Sequence, residues 1–218
     1  MKHEKEQEQR RMLLIGEEVP DFETDTTDGP IKFSKWAKDS WVILFSHPAD
    51  FTPVCTTEFM AFTDIEPELT KRNVKLIGLS VDSNYSHIAW IRTIKEKMGV
   101  DVPFPIIEDL SMDVARKYGM IHPAQSGTSA VRAVFFIDPD FKLRALIYYP
   151  LSNGRNMQEI LRVIDAFQTS DEHGVATPAN WEPGEEVIVP PPKTKEQAEK
   201  RMAEGFDCKD WFFCKKKL

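Results

Sequence analysis

Cysteine is scarce in this chain, with three among 218 residues, an odd number of which two stand close together near the end. That excludes a secreted disulfide scaffold, which needs a denser and paired set, and leaves redox or metal chemistry open. Long apolar runs are missing as well. The longest, such as residues 41–45, fall far short of the ~20 needed to cross a bilayer, so no membrane association is expected. Residues 1–11 are almost all charged or amidic and lack the apolar stretch of a secretory signal, so a cytoplasmic location is expected. Positive charge is not in excess either: 28 basic against 35 acidic side chains leave a net charge of −7. Such a chain carries no field to hold a polyanion, and nucleic acid is not an expected partner. The run Lys215-Lys216-Lys217 reads as a solvated end. No internal repeat or low-complexity tract is apparent.

What is present is ample apolar material, 41% of residues, enough for a packed core. Apolar and β-branched segments predict strands over 41–46, 74–81, 104–107, 132–137 and 143–149. The last two form a hairpin across the turn residues Asp138-Pro139-Asp140. Apolar residues spaced at about 3.6 predict helices over 57–71, 86–98, 111–118 and 157–167. The alternation argues for an α/β layer fold. After Gln168 the character changes. Pro178, Pro183 and Pro190-Pro191-Pro192 oppose regular structure and favour an extended arm. A short polar helix over 195–203 follows, and then the ending that carries Cys208, Trp211, Phe212, Phe213 and Cys214. Exposed aromatics on such a tail call for a surface to bury against. The expected division is a main domain over 13–170 and a C-terminal extension over 171–218.

The segment richest in chemistry is Phe45-Ser-His-Pro-Ala-Asp-Phe-Thr-Pro-Val-Cys55-Thr-Thr-Glu-Phe59, which runs from an apolar strand into a helix. It places Cys55 in the first helical turn, where free N–H groups and the positive end of the helix dipole favour a thiolate. Thr52, three residues earlier, can donate its hydroxyl to the sulfur or to a bound oxygen. Pro48 and Pro53 stiffen the approach without adding a donor. A lone cysteine is more often a buried small hydrophobe; the neighbours decide otherwise here.

The segment resembles the active-site motif of the peroxiredoxins, Pro-x-x-x-Thr-x-x-Cys, matched at Pro48, Thr52 and Cys55. With His47 before the proline and Val-Cys-Thr-Thr-Glu after it, the longer form is similar to the one-cysteine subfamily and its archaeal-type relatives. The resemblance extends from Ile15-Gly16 and Pro20-Asp21-Phe22, through Gly78-Leu-Ser-Val-Asp82, to Val131-Arg132-Ala133 and Gly154-Arg155-Asn156. It implies an α/β thioredoxin-like fold, with a central mixed β-sheet flanked by helices and a C-terminal arm. It also implies a thiol peroxidase that reduces hydrogen peroxide and organic hydroperoxides, an antioxidant function.

By the same resemblance the site's arginine is Arg132, which would hold Cys55 as thiolate and donate to the peroxide oxygens. Thr52 would orient the peroxide and Pro48 would shield the sulfur from water. Arg155 is similar to a second arginine of the subfamily, Glu58 would orient either guanidinium, and His47 would contact substrate or bond the backbone. Attack leaves a sulfenic acid that a second thiol converts to a disulfide. As in archaeal-type members, Cys214 of the partner subunit is the expected resolving residue. Cys208 would then exchange with that disulfide and pass oxidation to a thioredoxin-like reductant. The resemblance further implies a homodimer that assembles into a decameric ring.

Other readings are weaker. Cys-x5-Cys lacks the spacing and second ligand pair of a zinc site, no Cys-x-x-Cys marks a disulfide reductase, and no flavin, haem or nicotinamide fingerprint is present; no cofactor is expected. Some one-cysteine relatives are credited with phospholipase activity. Here Ser40 lacks a Gly-x-Ser-x-Gly elbow, and Ser34 stands where that set has its histidine. A non-enzymatic holdase or scaffold role of assembled subunits is the remaining alternative.

Overall fold

A computed structural model describes residues 12–218; the charged opening at 1–11 lies outside the described residues. The contact pattern divides the chain into two units that meet at Arg155–Asn156. Composition alone had drawn the boundary at 170/171, and the difference is one helix, grouped here with the C-terminal segment.

The first unit is built on a five-stranded sheet. Two short strands, β1 (Glu23–Thr24) and β2 (Ile31–Lys32), pair with each other and lead into the one-turn helix α1 (Phe33–Trp36). The sheet comprises β3 (Trp41–Ser46), β4 (Val74–Ser80), β5 (Ile106–Glu108), β6 (Arg132–Ile137) and β7 (Leu143–Tyr149), in the order β5-β4-β3-β6-β7. The pairs β3–β4 and β4–β5 are parallel, while β3–β6 and β6–β7 are antiparallel, so the sheet is mixed. Every residue of β3 and β6 is buried. That is why both read as unbroken apolar runs rather than as alternating ones: each is covered on two faces.

Side-chain alternation along β3 and β6 separates two cores. Val42, Leu44, Ala133, Phe135 and Ile137 join Phe22, Phe33, Val114 and Tyr118 on one side. Phe45 points to the other, where it stacks on Phe62 (4.1 Å between centroids) and meets Phe59 and Phe104 edge-on. Phe59 and Phe62 belong to α2 (Pro53–Lys71), whose buried residues Cys55, Glu58, Phe59, Phe62, Ile65 and Leu69 recur at helical spacing. Helix α3 (Asn84–Met98) begins on the Ser83 side chain, which accepts from Ser86 N, and ends at Gly99 with φ 74°. Serine supplies the missing acceptor at the start, and only glycine takes that left-handed turn without a steric penalty. The short α4 (Asp113–Lys117) is held by Asp109, whose carboxylate accepts from Val114 N and Ala115 N.

The second unit holds α5 (Met157–His173), capped by Asn156 Oδ1 and closed at Gly174. It also holds β8 (Val187–Val189), α6 (Lys195–Arg201), β9 (Asp207–Asp210) and β10 (Phe213–Lys216). The three strands form an antiparallel sheet in the order β8-β10-β9. Ala166, Val175, Trp181 and Val187 are its small apolar core. The expected arm therefore contains sheet structure: β9 and β10 form a hairpin, and β8 pairs with β10 across the intervening prolines. No helix among the described residues is long and apolar enough to cross a membrane.

Candidate active site

Thr52 closes the β3–α2 connection as the N-cap residue of α2, and Pro53 takes the first helical position, where its lack of an N–H costs nothing. Cys55 therefore sits in the first turn, fully buried and a free thiol. Its sulfur receives a hydrogen bond from Arg132 Nη1 at 3.3 Å. Arg132 opens β6, and alternation turns its side chain to the face that α2 covers. The guanidinium is locked by three further bonds: Nη1 to Glu58 Oε2 (2.6 Å), and Nε and Nη2 to Leu151 O (3.2 and 2.8 Å).

Glu58, one turn beyond Cys55, joins Arg132 to Arg155. Arg155 donates from Nε to Oε1 (2.8 Å), from Nη2 to Oε2 (2.7 Å) and from its backbone N to Oε1 (2.9 Å). Its Nη1 also reaches Ser46 O and Ala133 O, while the guanidinium plane lies 5.2 Å over the Phe45 ring. All three charged residues are at least nine-tenths buried. Burial, the largest influence on Glu58, pushes its carboxyl up, but Arg155 and Arg132 together outweigh it and hold it below the usual carboxylate value. A buried carboxylate stays ionised here because two guanidiniums share it. The consequence is an Arg132 that cannot swing away from the sulfur.

The remaining expected residues flank this set. The Thr52 hydroxyl donates to Ala49 O at 3.0 Å, which leaves its lone pairs to accept. Pro48 is half-buried beside it. The His47 ring is fully buried, with Nε2 2.9 Å from Asp50 Oδ1, and Asp50 Oδ2 is in turn 2.8 Å from His87 Nδ1. Sequence reasoning overlooked Asp50 and His87. Asp50 lay inside the quoted motif; His87 is a lone histidine on α3 whose contact is visible only in three dimensions. Among the described residues, His47, Asp50 and His87 also form a group with metal-ligand spacing, their candidate ligand atoms all within 4.8 Å of one another. Both histidines already hydrogen-bond the Asp50 carboxylate, through His47 Nε2 and His87 Nδ1. Ser40 Oγ donates to Lys38 O and Asn73 Oδ1, neither of which is a base that would activate it for ester cleavage, and Ser34, where that set would have its histidine, donates to Asp21 instead.

In the second unit Cys208 and Cys214 face each other across the β9–β10 pair and are joined as a disulfide. Cys214 is buried, while Trp211 and Phe212 in the turn between the strands, and Phe213 at the start of β10, are exposed.

Residues 15–146 match the AhpC/TSA family, and residues 166–205 match the C-terminal domain of 1-Cys peroxiredoxin. The chain is 60% identical over 214 residues to a peroxiredoxin of Aquifex aeolicus, covering 94% of this chain and 96% of that one. It is 56% identical over 215 residues to a peroxiredoxin of Methanosarcina mazei, covering 94% and 98%. Among solved structures it is similar to a yeast mitochondrial 1-Cys peroxiredoxin, with a TM-score of 0.85, 46% identity, and coverage of 95% of this chain and 100% of that one. Peroxiredoxin 6 of Arenicola marina matches with a TM-score of 0.79 and 45% identity, covering 86% and 88%. The fold is thus the thioredoxin-like one, Cys55 beside Arg132 is the peroxidatic thiol, and the chain belongs to the peroxiredoxins, of the one-cysteine type.

Proposed function

We propose that this peroxidase reduces hydrogen peroxide and organic hydroperoxides in a cycle completed by its own C-terminal cysteines and a thioredoxin-like donor. The observation that carries the reading is the Arg132 hydrogen bond to the sulfur of Cys55 at 3.3 Å, made by a guanidinium that Glu58 immobilises. The Cys55 thiolate attacks one peroxide oxygen, the O–O bond breaks, and the departing oxygen leaves with the electron pair and takes a proton. Arg132 stabilises that growing charge with donors already in place. Thr52 orients the peroxide, Pro48 keeps water from the sulfur, His47 meets the substrate, and Arg155 with Glu58 holds Arg132 in position.

The product is a Cys55 sulfenic acid. Cys214 of the partner subunit attacks its sulfur, a disulfide forms and water leaves; Cys208 then displaces Cys55, giving the Cys208–Cys214 disulfide. A pairing of these two cysteines across β9 and β10 supports this sequence, because it is what the exchange would leave. Two electrons from an external dithiol restore the enzyme. The solved yeast 1-Cys peroxiredoxin is described as resolved through glutathione and thioredoxin systems, which supports a donor of that class. Because Cys55 is fully buried, its meeting with a second thiol requires the first turn of α2 to open locally. In this reading residues 13–170 are the catalytic domain, residues 171–218 are the dimerisation arm, dimers assemble into a decameric ring, and the enzyme works in the cytoplasm.

The test is to reduce the protein, add one equivalent of hydrogen peroxide, block remaining thiols, and map products by non-reducing gel and peptide mass spectrometry. An interchain Cys55–Cys214 link, converting to Cys208–Cys214, is expected. A monomeric Cys55 sulfenic or sulfinic acid with both tail cysteines unreacted would assign resolution to an external thiol.

A further inference from the structure

The loop that carries Pro48 and Thr52 also carries two members of a buried polar cluster, His47–Asp50–His87, of which the cycle above uses only His47. Asp50 stands at its centre, its Oδ1 2.9 Å from His47 Nε2 and its Oδ2 2.8 Å from His87 Nδ1. Both rings are fully buried. The backbone N of Asp50 donates to Asp82 Oδ2, which also accepts from Ser80 Oγ, and the backbone N of His47 donates to Leu79 O. The loop is thereby tied to β4 and α3. Burial is the largest influence on Asp50 and pushes its carboxyl up, yet the hydrogen bonds from both histidines hold it well below the carboxylate range. Burial pushes His47 down from its ordinary value, against the pull of Asp50.

Hydrogen placement follows from these partners. An ionised Asp50 only accepts, so the hydrogen of a neutral His47 ring sits on Nε2 and its Nδ1 is a bare lone pair. That Nδ1 is buried and has no hydrogen-bond partner. His87 cannot serve in its place, since its Nδ1 faces Asp50 and its Nε2 faces Ile107 O at 3.2 Å.

A peroxide brings both acceptors and donors to the pocket. Arg132 can only donate, and both oxygens of Glu58 are taken by guanidiniums. The O–H groups of the substrate therefore need acceptors elsewhere. Thr52 Oγ1, whose own hydrogen goes to Ala49 O, supplies one. We propose that Asp50 and His87 are positioning residues that fix His47 in its Nε2–H tautomer, so that Nδ1 accepts the second O–H of hydrogen peroxide. An alkyl hydroperoxide has only one O–H, which Thr52 satisfies. The relay thus favours hydrogen peroxide over alkyl substrates. It rests on the reading that His47 meets the substrate.

The experiment combines nitrogen-15 NMR of histidine-labelled reduced protein with rate constants for hydrogen peroxide and tert-butyl hydroperoxide. The wild-type spectrum alone decides the tautomer: a pyrrole-type Nε2 and a pyridine-type Nδ1 for His47 are expected, and the reverse overturns the proposal even if no variant folds. In Asp50→Asn the side-chain amide can donate to Nε2 and move the hydrogen to Nδ1. The rate with hydrogen peroxide is then expected to fall about tenfold, the worth of one hydrogen bond, and that with tert-butyl hydroperoxide by no more than about threefold. An equal loss with both substrates, or an unchanged tautomer, would reduce the cluster to scaffolding and overturn the inference. His47→Ala separates the premise: if neither rate changes, His47 does not meet substrate; if only the hydrogen peroxide rate falls while Asp50→Asn is silent, His47 stands and the relay fails.

Discussion

Glu58 is the residue that links the two arginines beside Cys55. It is 2% exposed, and one carboxylate serves two guanidiniums, Arg132 at 2.6 Å and Arg155 at 2.7 Å. Removing one member of such a buried set leaves the others uncompensated, at a cost of about 3–5 kcal/mol. Glu58→Gln is expected to destabilise the protein by about that amount at pH 7 in urea melts. The pH dependence has a definite sign. Because the folded carboxyl is held below its ordinary value of 4.5, its contribution is present above that pH and lost as pH falls through the folded value. The gap between wild type and Glu58→Gln is accordingly expected to narrow below about pH 4.5; a gap that stays constant down to acid unfolding would show that Glu58 carries no linked proton. Arg132→Ala removes the donor itself. Its rate of peroxide consumption, followed by stopped flow, is expected to fall about 10²–10³-fold, as for loss of a donor aimed at developing charge.

At the scale of elements, β4 has to pass close beneath the aromatic layer that supports α2. Gly78 is the point of closest approach: a Cβ there would stand 3.1 Å from Phe45 Cζ, and Phe45 is itself stacked on Phe62. Gly78→Val is expected to lower stability by about 1–3 kcal/mol through overpacking, measured by denaturant unfolding; a silent substitution would mean that Phe45 can move aside freely. The elements that sequence periodicity located carry continuous apolar runs, fully buried in β3 and β6 and half-buried in most of β7. Strands over 41–46, 132–137 and 143–149 match β3, β6 and β7, and their apolar residues face packed layers on both sides or one. Periodicity placed the start of α2 at residue 57, whereas the helix begins at Pro53, because the Pro-Val-Cys turn is set by capping rather than by an apolar stripe. The third strand was expected at 104–107 and lies at Ile106–Glu108. Phe104 is apolar because it packs against Phe45, Phe59 and Phe62, not because it is in a strand. The strands β9 and β10 left no signal, since Asp207-Cys-Lys-Asp210 and Phe213-Cys-Lys-Lys216 are short and largely polar and owe their form to pairing, while β8 is apolar but only three residues long, Val187–Val189, among prolines.

Across the whole molecule, the hydrogen-bonded set around Cys55 gathers residues from distant parts of the chain, with 77 positions between Cys55 and Arg132 and 97 between Glu58 and Arg155. Their identities were legible through the motifs around them. The tie between Asp50 and His87, 37 positions apart, was not, because nothing in the pattern of α3 distinguishes a buried histidine with a partner from one without. The C-terminal unit holds the Cys208–Cys214 disulfide. In the proposed cycle Cys214→Ser and Cys208→Ser each reduce thioredoxin-coupled turnover to the level that free thiols support, while one turnover per Cys55 survives; full coupled activity in both variants would remove the tail from the cycle. Size-exclusion chromatography with light scattering is expected to give a dimer or a ring of dimers, and a monomer would exclude resolution by the partner's cysteine. The central claim is that the Cys55 sulfur is the atom that the peroxide oxidises. It is tested most directly in the Cys208→Ser/Cys214→Ser double variant, by adding one equivalent of hydrogen peroxide with dimedone and locating the adduct by peptide mass spectrometry. Stoichiometric labelling of Cys55 with loss of the peroxide is the predicted result, and peroxide consumed without any modification of Cys55 would contradict the account.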